Sequence, residues 1–176
     1  MRTRAILAAV LGVLVAATAR GQEDLSVTKV TLRRNTSGHG DNSVVRLQGF
    51  FVTAPPLDVF DPTHGVTLHL KDLGPSIPSG EATDLTKTWL DTECTTANGR
   101  TKCYAGGKKY VSIILKPYQG HSEAFSVVAK IRGQNLTGPF EGPLELTLTE
   151  NGSAVDRIGT IVDCLLKITG LTCRVF

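Results

Sequence analysis

The sequence predicts an all-β protein: an antiparallel two-sheet sandwich of immunoglobulin-like architecture with two disulfide-braced hairpins. Apolar and polar residues alternate with period two in many short runs. Turn-forming residues separate these runs about every eight to twelve residues. Four cysteines also form two pairs of equal spacing. Period two places alternate side chains on one face of a strand, and frequent turns are typical of sandwiches and barrels.

The first segment has the layout of a secretory signal peptide, which we assign to residues 1–21. Arg2 and Arg4 precede an apolar run, 5–17, and small residues follow. Cleavage after Ala19 and cleavage after Gly21 both fit the small-residue rule. The run is shorter than the roughly 20 residues of a spanning helix. We therefore predict a secreted or periplasmic protein without a transmembrane segment in the mature chain.

The charge of the mature chain is close to neutral. The 176 residues contain 19 Lys and Arg against 16 Asp and Glu, a formal net charge of +3. Removal of the first segment lowers this to +1 or 0, depending on the fate of Arg20. The remaining adjacent basic residues are only pairs, Arg33-Arg34 and Lys108-Lys109. A nucleic-acid-binding protein normally has a denser basic face, so we predict no nucleic-acid partner.

The remaining chain, 22–176, contains no repeat and is predicted to be one β-sandwich domain. The predicted strands are 25–33, 43–53, 66–71, 86–94, 100–106, 110–115, 125–131, 144–149, 157–166 and 171–176. Glycine, proline and asparagine occupy the segments between them, as turns require. A short helix is an alternative near Ala82, Leu85 and Trp89, which lie at helical spacing, although the threonines there disfavour it.

The first cysteine pair flanks a hairpin signal. Asn98-Gly99 favours a type I′ turn, because both central residues need a positive φ angle. Folding about this turn places Cys94 opposite Cys103 in a non-hydrogen-bonded pair, about 4.5 Å apart at Cα. That separation suits a disulfide.

The second pair, Cys164 and Cys173, has the same spacing around a predicted four-residue loop, 167–170, with Gly170 in the left-handed region. Zinc sites use closer cysteines, so no metal or other cofactor is predicted.

No catalytic residues are predicted, and we expect the protein not to be an enzyme. The serine-hydrolase elbow Gly-x-Ser-x-Gly and the phosphate-binding loops are absent. The loop 39–43 contains His, Asp and Ser, but catalytic triads are assembled from distant segments. Asp58 and Asp61, with Asp72, could approach a calcium ion, and the sequence leaves that site open.

Aromatic residues provide one candidate ligand platform, since aromatic side chains are enriched at interfaces. It consists of Trp89, Tyr104, Tyr110 and Tyr118. Asn35, Asn135 and Asn151 each begin an Asn-x-Ser/Thr glycosylation signal, and their use depends on the host.

Three functions remain open at this stage. The first is a non-catalytic exported module that acts through surface contacts in adhesion, an envelope or a matrix. The second is a carbohydrate-binding module that uses exposed aromatics. The third is an extracellular hydrolase with a non-local carboxylate or His site. The expected partner is an extracellular protein or a polysaccharide.

Overall fold

The protein is an all-β structure in which strands alternate with short turns. The computed structural model describes residues 21–34, 43–54, 59–74, 84–107, 110–118, 121–134, 136 and 140–175. The predicted signal segment up to residue 20 and the loop 39–42 lie outside these residues. The strands are β1 (Gly21–Arg33), β2 (Val44–Val52), β3 (Gly65–Asp72), β4 (Asp84–Leu90), β5 (Cys94–Ala97), β6 (Arg100–Tyr104), β7 (Ser112–Tyr118), β8 (His121–Arg132), β9 (Leu144–Glu150), β10 (Val155–Ile161), β11 (Cys164–Lys167) and β12 (Gly170–Arg174).

Strand pairing connects ten strands in the order β4-β3-β9-β10-β1-β2-β8-β7-β6-β5. The remaining two form a branch, in which β12 pairs with β1 and β11 pairs with β12. Strand β1 is therefore the junction of the sheet.

Strand β1 makes this junction because it is long enough to pair with three neighbours. Its first residues, 21–24, run parallel to β10, while residues 29–33 run antiparallel to β12 on the same edge. Its other edge pairs antiparallel with β2 over residues 25–33, with a register shift between Val27 and Lys29. The extra residue bends the strand, as bulges do.

The two ends of the strand order approach each other. A single 3-10 turn, Asp91–Glu93, leads directly from β4 to β5. Trp89 of β4 is fully buried, and its Nε1–H donates a 3.2 Å hydrogen bond to the carbonyl oxygen of Val111, just before β7. The sheet is therefore nearly closed and barrel-like.

This closure differs from the predicted two-sheet sandwich of immunoglobulin-like architecture. The prediction of an all-β fold is confirmed, but β1 joins the two groups of strands into one sheet. The fold is also not purely antiparallel, because β1 and β10 are parallel. Alternation indicates which face of a strand is buried, but it does not indicate which strands are its neighbours. The pairing of β1 with both groups of strands could therefore not be predicted from this pattern.

Three local expectations also need correction. The predicted strand 86–94 is divided between β4 and β5, and 157–166 is divided between β10 and β11. The possible helix is wrong in its described part, because Leu85 and Trp89 are buried on one face of β4. A spacing of four residues fits the period of a strand as well as that of a helix. Ala82 lies outside the described residues.

Both disulfides form with the predicted connectivity, Cys94–Cys103 and Cys164–Cys173, each with a Cα separation of 4.0 Å. The first hairpin has the expected turn, with positive φ at Asn98 and Gly99.

The second hairpin has a tighter turn than predicted. Lys167 pairs with Gly170, so the loop contains two residues and not four. Gly170 has a positive φ of 153°, as predicted, but this residue belongs to the ladder of β12 and not to the loop. Adding the 167–170 pair to the ladder leaves the cysteine register unchanged, so the disulfide could be predicted without the correct loop.

The core contains a buried cation. Arg157 of β10 is fully buried, and its guanidinium carbon lies 4.8 Å from the ring centre of Phe51 and 4.6 Å from that of Phe60. Phe125 stacks on Phe51 at 5.3 Å. The ring faces carry negative charge density that attracts a guanidinium group. A cation thus packs among aromatic rings where the alternating pattern predicts only apolar contacts.

A glycine allows β10 to pass close to β1. A Cβ atom at Gly159 would overlap the backbone oxygen of Leu25, and it would lie 2.9 Å from the side chain of Val27. A backbone atom cannot move aside as a side chain can. The junction between β1 and β10 therefore requires glycine at this position.

We expect Gly159→Ala to destabilise the protein by about 3 kcal/mol, because the added methyl group overpacks the β1–β10 contact. Thr160→Ala is the matched control, since Thr160 is exposed on the same strand, and it should cost less than about 1 kcal/mol. Denaturant unfolding measures both values. Equal stability of the two variants would contradict the close contact.

Candidate functional site

The four candidate platform aromatics do not form one exposed surface. Trp89 is fully buried, Tyr104 is half-buried, and Tyr110 and Tyr118 are exposed. Tyr104 pairs with Ser112 at the start of β7, whereas Tyr118 ends that strand. Six residues of strand separate these positions by about 20 Å. A ligand on Tyr118 could therefore not stack on Tyr104 or reach the ring of Trp89.

The aspartates considered for calcium have local structural partners. Oδ1 of Asp61 accepts hydrogen bonds from the N–H and the hydroxyl of Thr63, at 2.9 and 2.6 Å. Asp72 is buried and accepts backbone N–H groups from Gly74, Glu141 and Gly142 at 2.9–3.0 Å. Asp58 lies outside the described residues. Within the described part of the chain, no three His, Cys, Asp or Glu residues are grouped as metal ligands.

A histidine lies beside a buried carboxylate at the end of β9. Nδ1 of His64 lies 2.7 Å from Oε1 of Glu150, whose side chain is 9% exposed. The other oxygen of Glu150 accepts the Asp61 N–H at 2.9 Å. The hydrogen bond to Glu150 is the largest cause that raises the pKa of His64, and the negative charges of Asp61, Glu150 and Asp91 add to it.

This histidine has the wrong surroundings for a hydrolase base. Its Nε2 faces the carboxylate of Asp61 at 3.8 Å, so acidic groups lie beside both ring nitrogens. The hydroxyl of Thr63 is committed to Asp61. A raised pKa also keeps His64 protonated at a higher pH, which opposes proton abstraction. The contacts of His64 and Asp61 with Glu150 instead hold the 59–65 segment against the end of β9.

Asn151 is the one glycosylation signal inside the described residues. Its Nδ2 donates to the carbonyl oxygen of Trp89 at 2.8 Å, and its Oδ1 accepts from the hydroxyl of Thr67 at 3.0 Å. Glycosylation modifies Nδ2 and would conflict with the first of these hydrogen bonds. Asn35 and Asn135 lie outside the described residues.

A shallow, positively charged cavity of about 370 Å³ lies on the outer face of β1, β2 and β8. Five cationic side chains line it, and we call this surface the basic groove. They are Lys29 and Arg33 of β1, Arg46 of β2, and Lys130 and Arg132 of β8. No acidic residue lines the groove among the residues that the structure describes.

Strand register assembles this cluster. Arg46 pairs with Thr31 on one side and with Lys130 on the other. In the next row, Val44 pairs with Arg33 and with Arg132. Neighbouring strands lie about 4.8 Å apart, so the cations of three strands share one small surface.

The groove has an electrostatic cost in the isolated protein. Arg46 and Lys130 face each other across neighbouring strands, and directly opposed like charges are destabilising. None of the five cations forms an ion pair with a described carboxylate. An anionic ligand would relieve this repulsion, so the groove is the best candidate for a functional site.

Sequence reasoning missed the groove because its cations are distant in the chain. Lys29 and Arg33 are four residues apart, and Lys130 and Arg132 are two apart. Both spacings place cations on one face of a strand. That signal could have identified two basic strand faces, but only the register places Arg46 between them.

Trp89 should emit at short wavelength and resist a soluble quencher, because its ring is fully buried. Addition of a polysaccharide should leave its spectrum unchanged. Acrylamide quenching of the native protein measures this, with the reduced and unfolded chain as the control. Red-shifted, quenchable emission in the native state would contradict the burial and restore the aromatic platform.

Protonation of His64 should stabilise the fold, because its pKa is raised in the native state. This contribution is fully present below about pH 6.5, the ordinary value, and is lost as pH rises through the raised pKa. We expect His64→Gln and Glu150→Gln each to reduce the fall in melting temperature between pH 6 and 8.5.

His121→Gln is the control for this series, since it removes an exposed histidine outside the cluster. Thermal unfolding monitored by circular dichroism provides the readout. If the melting temperature of His64→Gln falls with pH as steeply as that of the wild type, the pH dependence belongs to other groups.

Known proteins offer no template for this surface. Comparisons of the chain with protein-family models, curated proteins and solved structures find no match. None of the described helical segments is long and apolar enough to span a membrane. The basic groove and the His64–Glu150 pair are thus the features from which a function can be inferred.

Proposed function

We propose that the protein is an exported, non-catalytic module that binds an anionic polysaccharide through the basic groove. The observation that carries this proposal is the concentration of five cations, with no acidic residue among the described lining residues, in one cavity. Sulfate and carboxylate groups along a polysaccharide would supply the missing counter-charges. Arginine is well suited to this role because its planar group binds such anions in bidentate geometry.

Export is part of the same proposal. Two disulfides fit an oxidising compartment, such as the periplasm or the cell exterior. The predicted signal peptide supports this location, with cleavage after Ala19 leaving the whole of β1 in the mature chain. Anionic polysaccharides of cell surfaces and matrices occur in these compartments.

Single-stranded nucleic acid is a weaker fit to the groove. Proteins that bind it combine positive charge with aromatic side chains on which bases stack. The described lining residues are charged, polar or aliphatic. Charge pairing without stacking suits a polymer that carries its anions on non-aromatic rings.

A double substitution, Arg46→Gln with Lys130→Gln, tests the groove directly. We expect it to weaken binding to heparin, a sulfated probe, by about 30-fold at 0.15 M salt. This estimate assumes about 1 kcal/mol for each exposed contact. Isothermal titration calorimetry measures the affinity, and the slope of log affinity against log salt should also decrease. The variant should keep the wild-type stability or exceed it, because the change removes opposed like charges.

Lys102→Gln with Lys116→Gln is the matched control, because both lysines lie outside the groove lining. Neutral dextran is the control ligand and should not bind. Equal heparin affinity of the groove variant and the wild type would refute the proposed site. Stronger binding to single-stranded DNA than to heparin would favour a nucleic-acid ligand instead.

A further inference from the structure

One edge strand of the sheet is unusually apolar. Among the residues that the structure describes, strand β11 pairs only with β12, along one of its two edges. Leu165 and Leu166 in this strand are each 64% exposed. The matching positions of the other disulfide hairpin are Thr95 and Thr96. Proteins usually cover such edges or place charges on them, because unpaired strands template pairing with another chain.

The free edge of β11 offers a defined set of backbone groups. Cys164 and Cys173 form a bridged pair with a Cα separation of 4.0 Å, which is the short spacing of a non-hydrogen-bonded pair. Pairs alternate along the ladder, so Leu166 is also in a non-hydrogen-bonded pair. The N–H and C=O groups of Cys164 and Leu166 therefore point away from β12. No described residue bonds to these backbone groups.

The outer face of this edge carries opposite charges on either side of a leucine. Asp163, Leu165 and Lys167 are spaced two residues apart and share the face of Thr172 and Arg174. Neither Asp163 nor Lys167 forms an ion pair within the described chain. Two copies of this segment that run antiparallel can thus place the negative charge of each beside the positive charge of the other.

We propose that a second copy of the chain pairs antiparallel with this edge, in the register that places Leu165 opposite Leu165 of the second copy. Cys164 then exchanges backbone hydrogen bonds with Leu166 of the second copy, and both residues have free edge groups. Asp163 faces Lys167 of the second copy, and two-fold symmetry repeats this ion pair. The contact covers the exposed leucines.

Hydrogen bonding and charge together select this register. A shift by two residues keeps the correct alternation of backbone groups but places Asp163 opposite Leu165 or Thr169 of the second copy. Both ion pairs are then lost. The interface comprises only a few residues on each chain. The area that it buries is therefore below the roughly 1,000 Å² of a stable interface. The dimer is therefore reversible.

Sedimentation equilibrium of the disulfide-bonded protein, without added polyanion, tests the proposal between about 1 μM and 1 mM. The wild type should change from monomer to dimer within this range. Lys167→Asp and Asp163→Lys should each weaken the dimer by at least about ten-fold, because each creates like-charge contacts across the interface. The double variant carrying both changes should recover the wild-type affinity, because it restores opposite charges.

Lys116→Asp is the control, since Lys116 is exposed on β7, away from β11, and the same charge change there should leave the dimer intact. Leu165→Lys is a second disrupting variant, because it opposes two cations at the symmetry axis. A wild type that stays monomeric overturns the proposal, as does a dimer insensitive to both charge reversals. Failure of the double variant to recover overturns the register, and a monomer that binds anionic vesicles through Leu165 assigns the leucines to a membrane instead.

Discussion

The pairing of β1 with three other strands is the constraint on which the rest of the structure depends. This strand holds β10, β12 and β2 together, and its inward residues Val30 and Leu32 are fully buried. The close approach at Gly159 lets β10 lie against the first part of β1, and the register of β1 against β2 shifts after Val27. Without this strand, the described strands on its two sides, β4-β3-β9-β10 and β2-β8-β7-β6-β5, would share no hydrogen-bonded edge.

The described buried charges and the groove cations differ in their partners, and the difference supports a binding role for the groove. The buried charges have local partners: Arg157 lies over two aromatic rings, Glu150 contacts His64, and Asp72 accepts three backbone N–H groups. Burial of a charge is costly without such partners. The groove cations instead face solvent with like charges beside them. Stability alone does not explain that arrangement, whereas recognition of an anion does.

Local features of the fold could be predicted from the sequence, and non-local ones could not. Asn98-Gly99 determined one hairpin because turn geometry involves only adjacent residues, and equal spacing then identified both disulfides. Closure of the sheet includes a contact between Trp89 and Val111, 22 residues apart. Trp89 was predicted to be part of a ligand platform because the sequence alone does not show that its side chain is buried. The basic groove required the relative register of three strands, which alternation within each strand cannot supply.

Edge pairing and anion binding would reinforce each other through geometry. A two-fold axis at Leu165 runs perpendicular to the sheet, so it keeps the outer faces of both copies on one side. Strand β12 separates β11 from β1, and the two basic grooves would therefore lie on one continuous surface. A polymer with repeated anionic groups could engage both grooves at once, and the second contact would then be intramolecular. Such bivalent contacts raise overall affinity by orders of magnitude without any new interaction in either groove. A weak dimer and a shallow groove can thus produce strong binding to a polymer while binding to a single anionic sugar stays weak.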